Sequence, residues 1–314
     1  MDLDRPLRPV GDLSRCLRLA VDVLGQVLAP IQGSVALIVC PGINDPSLTA
    51  NSEMLAIDPN TLEILDEVTV PEMTATPHTI TMFHGKIAIY TCGLQKAYRY
   101  FWDPATQKLT QDTSFVVSFL GSGQTTGDAP GILGNWIVIQ TNGIPTNVPS
   151  SVVAINQDDP TRITRISPYG DLPPGTNSWA PPKAAVDDEN NMVYSDDYGA
   201  GKIAGIKFDR DSGQMTAVFV TNDRTTCLQA LYGPKDHRVL GVSQIDPNAT
   251  SEQLSNGTYT EQATFRDAAT GRILAQSDFY QPMTANTLIT PAYGGGFYFP
   301  TGKGYVHLEV KPAP

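Results

Sequence analysis

Residues 203–220 read IAGIKFDRDSGQMTAVFV: an apolar strand runs into a turn holding Asp209 and Gly213, and a second strand leaves it. Asp can bond its own backbone and Gly accepts positive φ, so together they specify a tight hairpin. The same order recurs at Met54–Val70 (MLAIDPNTLEILDEVTV), Tyr98–Gln111 (YRYFWDPATQKLTQ), Val152–Ile166 (VVAINQDDPTRITRI) and Gln262–Gln276 (QATFRDAATGRILAQ). Asp58 and Asp103 stand 45 positions apart and Asp209 and Asp267 stand 58 apart, a spread that suits a four-stranded unit with variable loops. Turn formation accounts for these acids at each copy, so they are assigned no chemistry.

Each copy follows another apolar segment: HTITMFHGKIAIYTC, GILGNWIVIQTN, AAVDDENNMVYS and LQALYGPKDHRVLGV, while LITPAYGGGFYFPT leads into Tyr305–Val310. Counting VALIVC from Val35, six pairings of inner strands with outer hairpins fall between Val35 and Val310. The chain is therefore expected to be all-β, a single β-propeller of six blades over residues 34–314, with five or seven as alternative counts. Residues 1–33 form a separate N-terminal segment. Its LRLAVDVL stretch from Leu17 alternates like a strand, which would close the ring, while Leu13, Leu17, Leu24 and Leu28 also align as a covering helix. The proline-rich stretch Pro168–Pro182 reads as a loop between blades.

Composition agrees. The 314 residues include 27 Gly and 25 Pro, an excess that favours turns, and 41% hydrophobic residues, enough for a packed interior. A net charge of −11 opposes binding to phosphate backbones, so no nucleic-acid partner is expected. Arg18, Asp22 and Gln26 interrupt the apolar stretch from Leu17, so no transmembrane segment is expected, and Met1–Asp12 does not read as an export signal. Low Lys with abundant Thr, Asn and Gly nevertheless suits an extracytoplasmic protein. Cys16, Cys40, Cys92 and Cys227 are scattered, without CxxC spacing.

Hairpins such as AIDPNTLEIL and KFDRDSGQM, with the preceding TPHTITMFHGKIAIY, resemble the YVTN and quinoprotein-like β-propellers over roughly Val35–Val310. The resemblance lies in blade pattern and implies fold; such propellers include dehydrogenase subunits, lactone-cleaving enzymes, lyases and noncatalytic proteins. The repeated Trp docking motif of quinone-dependent dehydrogenases is missing, and Trp102-Asp103 occurs once. Lactonases of the SMP-30 type hold a divalent cation with carboxylates and amides; VYSDDYG from Val193 supplies acids without a complete positional match.

Ligands of propellers sit at one mouth of the central channel, where loops lead into the innermost strands. Those loops carry His78, Asp128, Lys183 and Cys227. His78, after Pro77, is the candidate acid, base or ligand; Asp128 and Lys183 would orient a polar substrate or pair with each other. Cys227 reads as a buried strand residue, and His84, His237 and His307 as turn or strand residues. Asp187, Asp188 and Glu189, followed by Asp196 and Asp197, offer oxygens suited to a divalent cation, the only cofactor the residues suggest. Asn248 and Asn256 head acceptor triplets in a polar insertion, Asp246–Thr260, expected to be a mobile loop. The leading expectation is a propeller that binds a polar small molecule, with or without turnover. Its alternatives are a noncatalytic protein-interaction scaffold and a metal-dependent lactonase-like hydrolase.

Overall fold

The structure is a computed structural model and describes residues 35–40, 51–74, 77–143, 148–172, 178, 184–282, 289–292, 296–301 and 303–309. Their strands form six antiparallel sheets in chain order. The first holds β1 (Ala36–Cys40), β2 (Ser52–Ile57) and β3 (Ile64–Val70), and the second β4 (Thr79–Phe83), β5 (Lys86–Cys92), β6 (Lys96–Asp103) and β7 (Lys108–Ser118). In the third, β8 (Thr125–Thr126) and β9 (Gly131–Leu133) flank one edge of β10 (Trp136–Asn142), followed by β11 (Val152–Asn156) and β12 (Ile163–Ile166). The fourth runs β13 (Ala185–Asp187), β14 (Met192–Asp197), β15 (Lys202–Phe208), β16 (Met215–Thr221). The fifth runs β17 (Thr225–Tyr232), β18 (Val239–Ile245), β19 (Glu261–Asp267), β20 (Ile273–Gln276), and the sixth β21 (Thr290–Pro291), β22 (Phe297–Thr301), β23 (Gly304–Leu308).

Every repeat read from the sequence is the hairpin between the last two strands of a sheet. Asp58, Asp103, Asp209 and Asp267 each accept backbone N–H bonds from two or three residues on, as at Asp209, whose Oδ1 accepts from Asp211 and Ser212 at 2.9 Å each. Asn156 does the same for Asp158 and Asp159 at 3.0 Å. These bonds hold the Asp58 and Asp209 carboxyls below their ordinary range, and at Asp103 the Thr106 hydroxyl, then the Ala105 N–H, does the same. Four residues after each Asp the chain turns left-handed, at Leu62, Gln107, Gly213 and Gly271, with φ of 62°, 54°, 77° and 73°.

Five apolar clusters lie between the sheets, each joining one sheet to the next in sequence. The cluster between the third and fourth sheets is centred on Trp136, whose indole donates to the Arg210 carbonyl at 2.7 Å and meets the Phe208 ring edge-on. First strands touch first strands, β4 against β9, β9 against β13 and β13 against β17, and last strands touch at β3–β7 and β12–β16. Successive sheets are thus stacked face to face, inner edge beside inner edge. The second and third strands are buried almost throughout, because a sheet covered on both faces leaves little exposed alternation. The Asp246–Thr260 insertion contains the short exposed helix α1 (Ser251–Asn256), with a capping box between Thr250 and Gln253 and a left-handed Gly257.

A Cβ on Gly213 would stand 2.4 Å from the Trp136 ring, at a backbone angle that disfavours any side chain. Gly213→Ala is expected to cost about 3 kcal/mol or more by combining strain with overpacking. Gln107→Gly, at an exposed left-handed position, is expected to add about 0.5 kcal/mol. Urea midpoints of the two variants against the parent measure both; equal effects at the two positions would contradict this account.

Candidate functional site

Antiparallel pairing places the start of each first strand, the end of each second strand and the start of each third strand at one end of a sheet, as Thr225↔Gln244 and Ile245↔Glu261 show in the fifth. Second strands run from apolar to polar toward that end: IAIYTC, WIVIQTN, MVYSDD, VLGVSQ. Thr91, Gln140, Thr141, Ser195, Asp196, Asp197, Ser243 and Gln244 are all buried there. Buried polar groups need partners, and several find them in the seams or within their own sheet. Thr126 Oγ1 donates to the Gly93 carbonyl at 2.7 Å, and Ser150 Oγ donates to Asp197 Oδ2 at 2.9 Å. Asp197 also accepts from Ser178 Oγ at 2.6 Å and from the Ala200 N–H at 2.9 Å. In the fifth sheet the fully buried Glu261 accepts from Thr226 Oγ1 and Ser243 Oγ, each at 2.7 Å.

His78 precedes β4 at this end, and Asp128 lies between β8 and β9. The two segments are joined: Thr79 Oγ1 donates to the Pro130 carbonyl at 2.5 Å. Burial alone pulls the His78 imidazole down to about 4, so at neutral pH it is uncharged, with one ring nitrogen free to accept. Asp128 Oδ1 accepts from the Ala129 N–H at 2.5 Å, which fixes its direction. Lys183 lies outside the described residues.

The acids expected to share a cation are separated. Asp187 ends β13 and Asp188 and Glu189 lie in the turn that follows it, whereas Asp196 and Asp197 end β14. The first group is engaged by arginines, Arg238 to Asp187 at 3.4 Å, Arg210 to Asp188 at 2.9 Å, and Arg238 to Glu189. Among the described residues no three His, Cys, Asp or Glu side chains converge. Cys227 is buried and its thiol is pushed up to about 12, an inert state for a nucleophile. His84 sits in the β4–β5 turn with φ of 47°, its ring bonded to Asp158 at 2.5 Å; it links two sheets at the opposite end.

Asp196, offered by the sequence only as one of five acids suited to a divalent cation, stands apart from the others in the structure. It is fully buried, and neither carboxylate oxygen meets a donor at hydrogen-bonding geometry; Gln140 Oε1 is likewise unmatched. The Gln140 amide donates to the Asp196 main-chain carbonyl and lies close enough to the carboxylate to favour its charge slightly. Burial and then the neighbouring Asp197 outweigh that, raising the Asp196 carboxyl well above its ordinary range. The polar ends of successive second strands were visible in the sequence, but the face each residue takes was not.

No protein-family model matches the sequence, and no curated protein matches it. Solved structures do. A protein from Lactobacillus plantarum is 11% identical, the alignment covering 88% of this chain and 82% of that one at a TM-score of 0.51. Sqt1 of Saccharomyces cerevisiae is 12% identical over 84% of this chain and 67% of its own, with a TM-score of 0.49. Quinohemoprotein alcohol dehydrogenase of Comamonas testosteroni is 16% identical over 74% of this chain and 41% of its own, at 0.47. At such identities the likeness is one of fold, and chemistry must be argued from the residues themselves.

Between pH 4 and 6.5 the unfolded chain protonates His78 and the native one does not, so this group's contribution falls as pH drops through that window. His78→Gln is expected to flatten the acid side of the stability profile, by no more than about 3 kcal/mol at pH 4 given the partly accessible ring. Urea midpoints at pH 5 and 7.5 test it: parent and variant should converge as pH falls, and parallel curves would place the His78 shift elsewhere.

Proposed function

We propose that the chain closes into one six-bladed propeller that binds a polar small molecule at the end where the first strands begin. His78 accepts a hydrogen bond or proton from the ligand, and Asp128 and Lys183 orient it. The observation that carries this reading is the link between the His78 and Asp128 segments through Thr79 and Pro130, with a neutral imidazole at the seam. An uncharged, partly accessible histidine is ready as an acceptor near neutral pH, whereas a charged one is not. Polar side chains gathered at the same end supply further donors and acceptors of the kind that fix ligand orientation.

Ring closure is part of the proposal. The sixth sheet has three described strands and ends on β23, whose outer side has no described partner strand, while the first sheet begins with β1 paired only to β2. The alternating LRLAVDVL stretch, Leu17–Leu24, fits the missing strand beside β23, and pairing chain ends in one blade removes an exposed edge.

Native mass spectrometry of freshly purified protein tests the ligand. An organic adduct of fixed stoichiometry, retained by the parent and lost from a folded His78→Gln variant, is expected. An adduct indifferent to His78 would remove that residue from the site, and Asp128→Asn or Lys183→Met would then locate it. Closure is tested separately by Val21→Cys with Val306→Cys: oxidative cross-linking within one chain is expected, and its absence under conditions that link a solvent-exposed control pair would reject the strand.

A further inference from the structure

We infer that a cleft between the fourth and fifth sheets, at their polar end, binds a small zwitterionic amino acid between Arg224 and Asp246. The inference does not rest on the ligand reading above, whose residues lie at the seam of the second and third sheets. The cleft has a volume of about 200 Å³ and is walled by the β14–β15 turn, the β16–β17 loop and the end of β18, through Gly201, Asn222, Asp223, Arg224, Gln244 and Asp246. At about 30 Å³ per water that is room for about seven waters, the bulk of one amino acid with a short side chain and too little for a peptide.

Four charged side chains meet here, and two of them satisfy each other. The almost fully buried Arg266 donates to Asp223 Oδ2 at 2.8 Å, and the Gln244 amide donates to Asp223 Oδ1 at 2.7 Å, so both oxygens of Asp223 are spent within the fifth sheet. Arg224 and Asp246 remain, opposite in sign, lining one cleft and making no ion pair with each other. Their main chains adjoin, since the Ile245 N–H donates to the Arg224 carbonyl at 2.9 Å. Arg224 is held in place: its Nε donates to the Tyr198 carbonyl at 2.8 Å, and its guanidinium lies 5.4 Å from the centre of the Tyr198 ring. The Nη1–Nη2 fork has no acceptor among the described residues and passes Gly201, where a Cβ would stand 3.4 Å from Nη2. Asp246 Oδ1 accepts from the Asn248 N–H at 2.8 Å and from its amide at 3.2 Å, while Oδ2 meets no donor among the described residues.

A fixed, unpaired guanidinium fork takes a carboxylate through two parallel bonds, and a free carboxylate oxygen takes an ammonium. An α-amino acid carries both groups on one carbon and bridges the two residues that do not bridge each other. The four side-chain charges sum to zero, so a ligand of zero net charge keeps the balance. A phosphate would instead bring further negative charge beside Asp223 and Asp246.

Thermal unfolding of the full chain near neutral pH and at constant ionic strength decides the matter, with glycine, L-alanine, L-serine, L-tryptophan, sodium acetate and ethylammonium chloride as probes. At 100-fold above its dissociation constant, at least one of the three small amino acids is expected to raise the midpoint by about 4 °C. Tryptophan exceeds the cleft, and acetate and ethylammonium each carry half of the recognition, so all three should fall well below that at the same concentration. Asp246→Asn and Arg224→Gln should each weaken binding at least about tenfold, the worth of one charge-assisted contact. Arg224 also holds the Tyr198 carbonyl, so Arg224→Lys, which keeps the charge and lacks the fork, carries the same test if Arg224→Gln does not fold. Stabilisation by solute excluded from the surface is shared by every variant, and a shift equal in parent, Asp246→Asn and Arg224→Lys overturns the site. Acetate matching the best amino acid, or no response to any of the three, overturns it as well.

Discussion

The constraint on which this structure depends is that its sheets are covered on both faces. Stacking face to face gives each seam an apolar cluster, and it removes from β5, β10 and β14 the solvent-facing half that an ordinary antiparallel sheet keeps. Two results follow from one cause. Apolar residues can run consecutively through a strand without exposing any of them, and any polar residue in those strands must find its partner inside the protein. The first result builds the fold. The second concentrates polar contacts at strand ends, where loops and neighbouring sheets bring donors within reach.

The outer hairpins solve the complementary problem. Their strands are half exposed and alternate, and they contribute less to the seams, so turn chemistry has to fix their register. The Asp or Asn at the head of each turn does this by bonding its own backbone, at no cost in buried charge. Gly213 and Gly271 carry a second duty, since a side chain at either would strike Trp136 or Phe219 across the seam. Leu62 and Gln107 occupy the same left-handed place without glycine, where the neighbouring packing leaves room for a side chain.

That division explains what was legible. Turns repeat because local chemistry repeats, so the five hairpins, the strands before them and the six-sheet order could all be read from DPNT, DPAT, NQDDP, DRDSG and DAATG and their apolar flanks. The end of the molecule that gathers polar groups was legible too, as the place where inner strands begin, and the His78 and Asp128 segments do meet there. In the insertion after Ile245 composition speaks for solvent exposure, which the short helix keeps, while the cap formed by Thr250, Gln253 and Gly257 is a matter of spacing. The acids of DDEN and SDD looked alike in sequence, but β14 carries Asp196 and Asp197 to the other end of the sheet, and arginines from other loops, Arg210 and Arg238, claim the first group.

Asp196 and Asp197 carry the argument furthest, because they differ only in parity. Side chains alternate along a strand, so Val193, Ser195 and Asp197 face the third sheet, while Met192, Tyr194 and Asp196 face the fifth. On the first face Asp197 finds two serine hydroxyls and a main-chain N–H; on the second, Asp196 finds no donor. The positions matching Asp196 in the second, third and fifth sheets are Cys92, Gln140 and Ser243, uncharged residues that a buried seam tolerates. Of these four sheets the fourth alone places a carboxylate there. A one-residue difference in strand position thus turns one of two adjacent identical side chains into a satisfied link between sheets and leaves the other a buried charge, which must be neutralised by a proton or balanced by a cation.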